Sequence, residues 1–596
     1  MKKLLALTLG ACLALGLGGC ANTPAEKTPD PQPESGNEQF DIVIVGAGGA
    51  GLAAAVEARE QGADNILVLE KMSFAGGSTT MAFGGFNCTN SRFMDEQGKE
   101  ETPVMLVDKI IKNGAGFADV DMAGVIAIET PKVIEWLDGF GSEWGKIRYA
   151  DLHCPTDGTI PGVELVRVLK EQAEKNGIEI RYNSPAVDLT TDENGRVNGV
   201  QVKDAHGEYT IDAQAVILAT GGYESNPEMI ANYDNPGLAN IHLAPSQGNM
   251  GDGIVMAEKL GADLVNMDLI QLSCAVAPFS IQMQLPIKNN GVVFVNKEGK
   301  RFTNEYSEAS SDRRITEDIL KQTDAECFGV YNETIYQTFM AIEEKDFFDE
   351  YRMTGIDNSG TVIQADTLEE LAEKMGVDQE AFLATMSSLK TDGIGNEEVV
   401  KLADTYKAGP YYAVNLTPGV MDTLGGVRAD TTGRVLNQEG KPIKGLYAAG
   451  EVIGNVQGAY YSVGLGEAVV FGRLSARNAI EYIQDRQGLT EHVPFDRTPA
   501  QPEGSEAAKG NFTDGTYTGE GQGNNGPIKV EVIVKDGSIT EINVLEQAET
   551  ANIYAGAAEQ FIPELIRTQN LDLDAVSGAT NSSNGIREAV KNALGQ

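Results

Sequence analysis

The stretch FDIVIVGAGGAGLAAAVEAREQGADNILVLEK, from Phe40 to Lys71, leaves few folds open to this chain. Ile42 to Val45 is an unbroken apolar run of the kind found in a strand buried on both faces, and an alanine-rich helix follows at once. Between them stand Gly46, Gly48 and Gly51 in GxGxxG spacing, with Gly49 beside them. Gly46 permits the tight turn, Gly48 lets the backbone approach a pyrophosphate, and Gly51 lets the helix lie close against the strand. A second strand, Ile66 to Leu69, ends in Glu70, 19 residues beyond Gly51 and placed to accept a ribose hydroxyl. An isolated GxGxxG is a weak signal. Strand, helix and acidic residue in register predict a dinucleotide with its phosphates on the helix amino terminus.

The next segment narrows the nucleotide. KMSFAGGSTTMAFGGFN (Lys71 to Asn87) resembles the glycine-serine-threonine segment of the fumarate reductase/succinate dehydrogenase flavoprotein superfamily. AVILATGGYESN (Ala215 to Asn226) and GLYAAGEVIGNVQGAYYSVGLGEAVVFGR (Gly445 to Arg473) resemble its later FAD-contacting segments, in the same order. Turn usage accounts for single glycines but not for their joint order. The resemblance covers Phe40 to Ile483 and implies FAD, bound non-covalently. The binding residues it implies are Lys71, Gly77, Ser78, Thr79, Gly84, Gly85, Val187, Ala219, Thr220 and Gly221, then Gly450 and Glu451 at the ribitol, with Gly464 and Gly466 towards the isoalloxazine. The insertion between Pro245 and Pro418 corresponds to a capping domain that closes over substrate and excludes water.

After a polar linker (486–509), Lys529 to Val534 alternates like a strand, Asp536-Gly537 is a hairpin turn, and Ile539 to Val544 returns. Helices are predicted over Ala557 to Gln569 and Gly585 to Ala593, on either side of DAVSGAT. This segment resembles the FMN-binding domain of extracellular flavoproteins and sodium-pumping quinone reductase subunits. That resemblance implies FMN joined by a phosphoester to Thr580 by a flavin transferase, with Asp574, Ser577 and Gly578 completing the motif. The expected fold class is therefore α/β: a Rossmann-type FAD-binding domain (40–244 and 416–485), an inserted α+β capping domain (245–415), and a small α+β FMN-binding domain (510–596).

The amino terminus sets the expected compartment. Lys2 and Lys3 precede an apolar run from Leu4 to Leu17 that is too short to span a bilayer, so 1–20 reads as a signal peptide. Leu17-Gly18-Gly19-Cys20 resembles a lipobox, which implies lipidation at Cys20 and a protein anchored outside the cytoplasm, extracellular or periplasmic. Residues 21–39 are proline-rich and polar, a tether. A net charge of −41 argues against nucleic-acid partners and against a polybasic hold on lipid. His153, His206, His242 and His492 are scattered and no cysteines are closely spaced, so no metal is expected.

Two flavins on one anchored chain imply a relay, from a membrane or periplasmic electron donor through FMN to FAD. The family resemblance implies reduction of an activated C=C bond in a small unsaturated substrate, as by fumarate or urocanate reductases. Where that family has its catalytic arginine after KRFxNE, this chain has Ala309, with Arg313 and Arg314 a few residues on. The substrate histidine is replaced in Met421-Asp422, an arginine by Tyr460-Tyr461, and the proton-relay pair by Leu285 and Lys288. With most of a dicarboxylate clamp gone, fumarate itself is not the expected substrate. Arg313, Tyr306 and Tyr461 are the candidate catalytic residues. A 3-ketosteroid-type dehydrogenase and a non-catalytic electron-carrier lipoprotein remain as alternatives.

Overall fold

Buried Ile42 to Val45 form the centre of an eight-stranded sheet, pairing in parallel with Ile66 to Leu69, residue for residue. The computed structural model describes residues 38–148, 151–234, 238, 246–277, 285, 289–306, 312–342, 347–460, 463–485, 510–523, 526–548, 558, 561–563, 565–573 and 580–595. Across the sheet the order is Arg434–Leu436, Pro442–Ala448, Gly207–Leu218, Glu38–Val45, Ile66–Leu69, Glu179–Arg181, with a hairpin of Ala186–Thr191 and Val197–Asp204 added to the long strand. The chain thus leaves this sheet after Leu218 and rejoins it near Arg434.

The helix Gly49–Glu60 lies against the helix Gly464–Asp485. A side chain at Gly472 would meet the Ala50 carbonyl at 2.5 Å, so glycine is what permits the crossing. Arg473 and Arg477 donate to Glu57 at 2.6 and 2.7 Å, and the Arg473 guanidinium also lies 4.4 Å from the Trp136 ring centroid. The returning segment thereby anchors the glycine-rich turn. Glu57→Ala strands buried Arg473 and leaves Arg477 only Glu129 at 3.6 Å, and should cost about 3–5 kcal/mol, seen as a lowered denaturant midpoint.

The insertion folds on its own core, with Phe294, Ile319, Val330, Tyr331, Phe382 and Leu416 at its centre. Its antiparallel sheet runs Ile270–Val276, Tyr411–Thr423, Cys327–Asn332, Val293–Asn296, with Ile363–Ala365 also on Tyr411–Thr423. Two strands serve both cores. Leu272 and Val420 are paired within the core of the nucleotide domain, whereas Val276 and Leu416 are paired within the cap. The strand Tyr411–Thr423 therefore runs straight through the boundary expected at 415/416. The KRFTNE segment is a structural lock: Glu305 accepts from Arg301 at 2.8 and 2.7 Å, from the Phe294 N–H at 3.0 Å and from Asn396 at 3.2 Å, while Arg301 also reaches Asp392 at 2.6 Å.

The carboxyl-terminal module has three antiparallel strands, Gly515–Gln522, Pro527–Lys535 and Ser538–Glu546, and a helix Thr580–Leu594. Ile528, Val530, Val532 and Val534 alternate into a core shared with Ile586, Ala589 and Val590. That helix packs on Gly519 and Gly521, where an added Cβ would meet the Ala589 and Gly585 carbonyls at 2.2 Å. Asp574, Ser577 and Gly578, like Cys20, the linker and residues 21–37 of the tether, lie outside the described residues, whereas Glu38 and Gln39, expected in the tether, already belong to the first strand; of Thr580 only its place at the start of the helix is described. No described helix is long and apolar enough to cross a membrane.

Candidate active site

A cavity of about 390 Å³ runs from the glycine-rich turn to the foot of the long cap strand. Gly46 has a positive φ of 109°, and a Cβ there would sit 2.3 Å from the Ala219 carbonyl. Gly48 and Gly49 open the helix, and the Gly49 N–H donates to Thr79 Oγ1 at 3.1 Å. At Gly48 and Gly84 a side chain would meet little protein, the nearest atom to a Gly48 Cβ lying 3.9 Å away. This is a groove left for something other than a side chain. Glu70, 7% exposed, accepts from the Ala47 N–H at 2.8 Å and the Met72 N–H at 2.7 Å. It fixes the loop as well as facing the cavity, a task the ribose assignment alone does not include.

Gly46, Gly48, Gly49, Glu70, Lys71, Gly77, Ser78, Thr79, Gly84, Gly85, Ala219, Thr220, Gly221, Gly450, Glu451 and Gly464 all line this one cavity, drawn from segments far apart in the chain. Three expected positions do not. Gly51 packs behind the turn, Gly466 faces Thr130 and Ile126 on a neighbouring helix, and Val187 is exposed while Ser184 and Ala186 take the lining positions. The strand period sends Val187 outwards.

At the inner end Glu451, expected from the sequence, is joined by Glu224, Asn249, Gln457 and Glu467, which the sequence did not single out. Glu451 accepts from the Thr423 N–H at 3.1 Å, and Asn249 donates both to Glu224 and, at 3.4 Å, to Glu451. Glu467 accepts from Gln457 at 2.5 Å. Burial first, then repulsion from Glu451 and Asp422, holds Glu224 well above the ordinary carboxylate range. Burial pushes Glu451 up to about 7 and raises Glu467 as well. Glu224 Oε2 and Thr220 Oγ1 are buried without a hydrogen-bond partner, the latter on the lining. The orphaned Thr220 hydroxyl on the lining fits a polar atom of a flavin nucleotide. An unfolded carboxyl ionises above about pH 4.5, whereas this cluster keeps protons into the neutral range, so stability falls as pH rises through that window. The melting temperature of the FAD-free protein should drop more steeply between about pH 5 and about pH 8 than that of Glu224→Gln.

The catalytic candidates do not gather here. Arg313 does not line the cavity: its guanidinium donates to Asp234 at 2.7 and 3.0 Å, to Glu317 at 2.9 Å and to the Ile270 carbonyl at 2.9 Å. Two carboxylates and a carbonyl leave it little to offer a substrate. Tyr306 is 46% exposed and also off the lining, Leu285 is buried in the cap core, and Tyr461 lies outside the described residues.

Residues 41–466 match the FAD binding domain family, and residues 523–595 match the FMN-binding domain. The chain is 31% identical over 460 residues to a cytochrome-type fumarate reductase of Shewanella frigidimarina, covering 75% of this chain and 78% of that one. It is 32% identical over 484 residues to the urocanate reductase of Eggerthella lenta, covering 76% of this chain and 77% of the relative. The open conformation of a flavocytochrome c3 fumarate reductase matches with a TM-score of 0.69 at 29% identity, over 76% of this chain and 80% of that one. With its cavity built from that family's nucleotide-binding segments, the chain belongs to the FAD binding domain family, as an FAD-dependent oxidoreductase of the CH–CH class with an FMN-binding domain at its carboxyl end.

Proposed function

We propose that this protein reduces the activated C=C bond of an α,β-unsaturated carbonyl compound, as an anchored protein outside the cytoplasm. The observation that carries the reading is the single cavity that joins the glycine cradle to the underside of the cap strand. FAD held there supplies the hydride chemistry. The chain's own part is to seat the nucleotide on Gly46 to Gly49, to fix that turn through Glu70, and to cover the reacting end with the cap so that water is kept out. Donors facing the substrate carbonyl favour the electron-rich oxygen that develops as hydride adds at the β carbon. The FMN-binding domain supplies a second flavin, attached through Thr580 by a flavin transferase, as an entry point for electrons from a membrane or periplasmic donor. Covalent attachment suits a protein exported and lipidated at Cys20, since a loose cofactor would be lost there.

Reduced methyl viologen tests the reading. With both flavins bound, addition of at least one compound from fumarate, urocanate, acrylate, cinnamates and simple enones should oxidise the dye, with the saturated product formed in equal amount. No oxidation by any of them would overturn the proposal.

A further inference from the structure

The floor of the cavity carries an acid that none of these roles uses. Asp422 stands beside Met421 at the end of Tyr411–Thr423, where the ladder slips: Asp422 pairs with Gln271 and Val420 with Leu272, leaving Met421 as the extra residue. Consecutive residues of a regular strand point to opposite faces, and the bulge explains why Met421 and Asp422 both reach the cavity. The Asp422 carboxyl makes no hydrogen bond or ion pair with any described residue. Among the described residues its charged neighbours are acids: Glu451 from the turn after Pro442–Ala448, Glu467 from the helix Gly464–Asp485, and Glu224 from the loop after Gly207–Leu218. Lys71 is the sole Lys or Arg on the described lining, and Asp252 holds it at 2.6 Å.

Resting on the reductase reading, we infer that Asp422 is a specificity-determining residue, which holds the carbonyl oxygen of an uncharged α,β-unsaturated ketone, ester or amide through its own O–H and turns unsaturated carboxylates away. Burial first, then the charge on Glu451, holds the Asp422 carboxyl well above the ordinary range, which favours its protonated form. A carboxylic acid kept neutral by its site donates a hydrogen bond, as a carboxylate cannot. A carboxylate ligand would bring a further negative charge to a wall on which no described Lys or Arg is free to meet it, and desolvation of an unpaired ion costs several kcal/mol. A neutral carbonyl loses only its water hydrogen bonds and regains one from Asp422.

The holoenzyme in its oxidised state provides the test, because flavin absorbance reports binding without turnover. Three matched pairs are titrated: fumarate with dimethyl fumarate, cinnamate with 4-phenylbut-3-en-2-one, and acrylate with acrylamide. The neutral members should bind at least about tenfold more tightly than their acids near neutrality, and their binding should weaken as the carboxyl cluster ionises at higher pH. Asp422→Asn keeps a neutral donor, so it should keep the preference for neutral ligands while losing that pH dependence. Asp422→Leu should weaken neutral-ligand binding by about tenfold or more. Acids bound as tightly as their partners, an unchanged affinity in Asp422→Leu, or no spectral change with any pair would overturn the inference. Failure of the reductase reading looks different: the dye stays reduced, while the titrations still read the preference.

Discussion

Gly51→Ala should strip FAD from the protein. A Cβ at this position would lie 1.9 Å from the Gly46 carbonyl oxygen, a backbone atom that no rotamer change can move. Gly46 has little room to retreat towards the Ala219 carbonyl, which even a Cβ on Gly46 would meet at 2.3 Å. The helix must therefore slide away from the strand, and Glu57, tied to Arg473 and Arg477, resists that slide. The phosphate-facing N–H groups then lose their aim. Overpacking of this severity costs about 3 kcal/mol or more, which corresponds to roughly a hundredfold in FAD affinity. Flavin absorbance after desalting reads the effect. Gly139→Ala, at a helical glycine with open space around it, is the control and should keep its FAD. Full retention of FAD by the Gly51 variant would show that the turn is not the phosphate seat.

The second large effect is expected at Thr580. Phosphoester formation needs a hydroxyl, and Thr580→Val removes it at almost constant volume. The core face of the helix that Thr580 begins is made further along by Ile586, Ala589 and Val590, so the fold should survive. Fluorescence of the denatured chain on a gel should vanish, and the flavin content should fall by one per chain. Turnover driven by the native donor should be lost, while turnover driven by a small reduced dye that reaches FAD directly should persist. Fluorescence that survives denaturation in the variant would place the attachment elsewhere.

What the sequence disclosed and what it hid follow from the range of each interaction. The dinucleotide turn is local: spacing of Gly46, Gly48 and Gly51 and the register of Glu70 encode it within one strand-turn-helix unit, and all but Gly51 line the cavity. The hairpin of the carboxyl-terminal module is local too, from alternation over Lys529 to Val534 and the turn at Asp536-Gly537. Its partner strand Gly515–Gln522 is masked by glycines that look like loop residues, until the helix packed on Gly519 and Gly521 gives them a reason. Arg313 follows a recognisable motif, but proximity along the chain does not say which wall a side chain joins, and Asp234 and Glu317 claim it. Asp422 stood out only as a departure from a family histidine. A period of two would set it opposite Met421, and the bulge that brings both inward depends on a partner strand about 150 residues earlier.

The electron path from FMN through FAD to substrate is open to direct observation. The mature protein, carrying both flavins, is reduced anaerobically with a just sufficient amount of dithionite and mixed rapidly with the acceptor identified by the viologen panel. The absorbance of both flavins should return to the oxidised level, with one saturated product formed per two electrons withdrawn. Recovery of FAD alone while covalent FMN stays reduced, or no recovery of either, would contradict the relay.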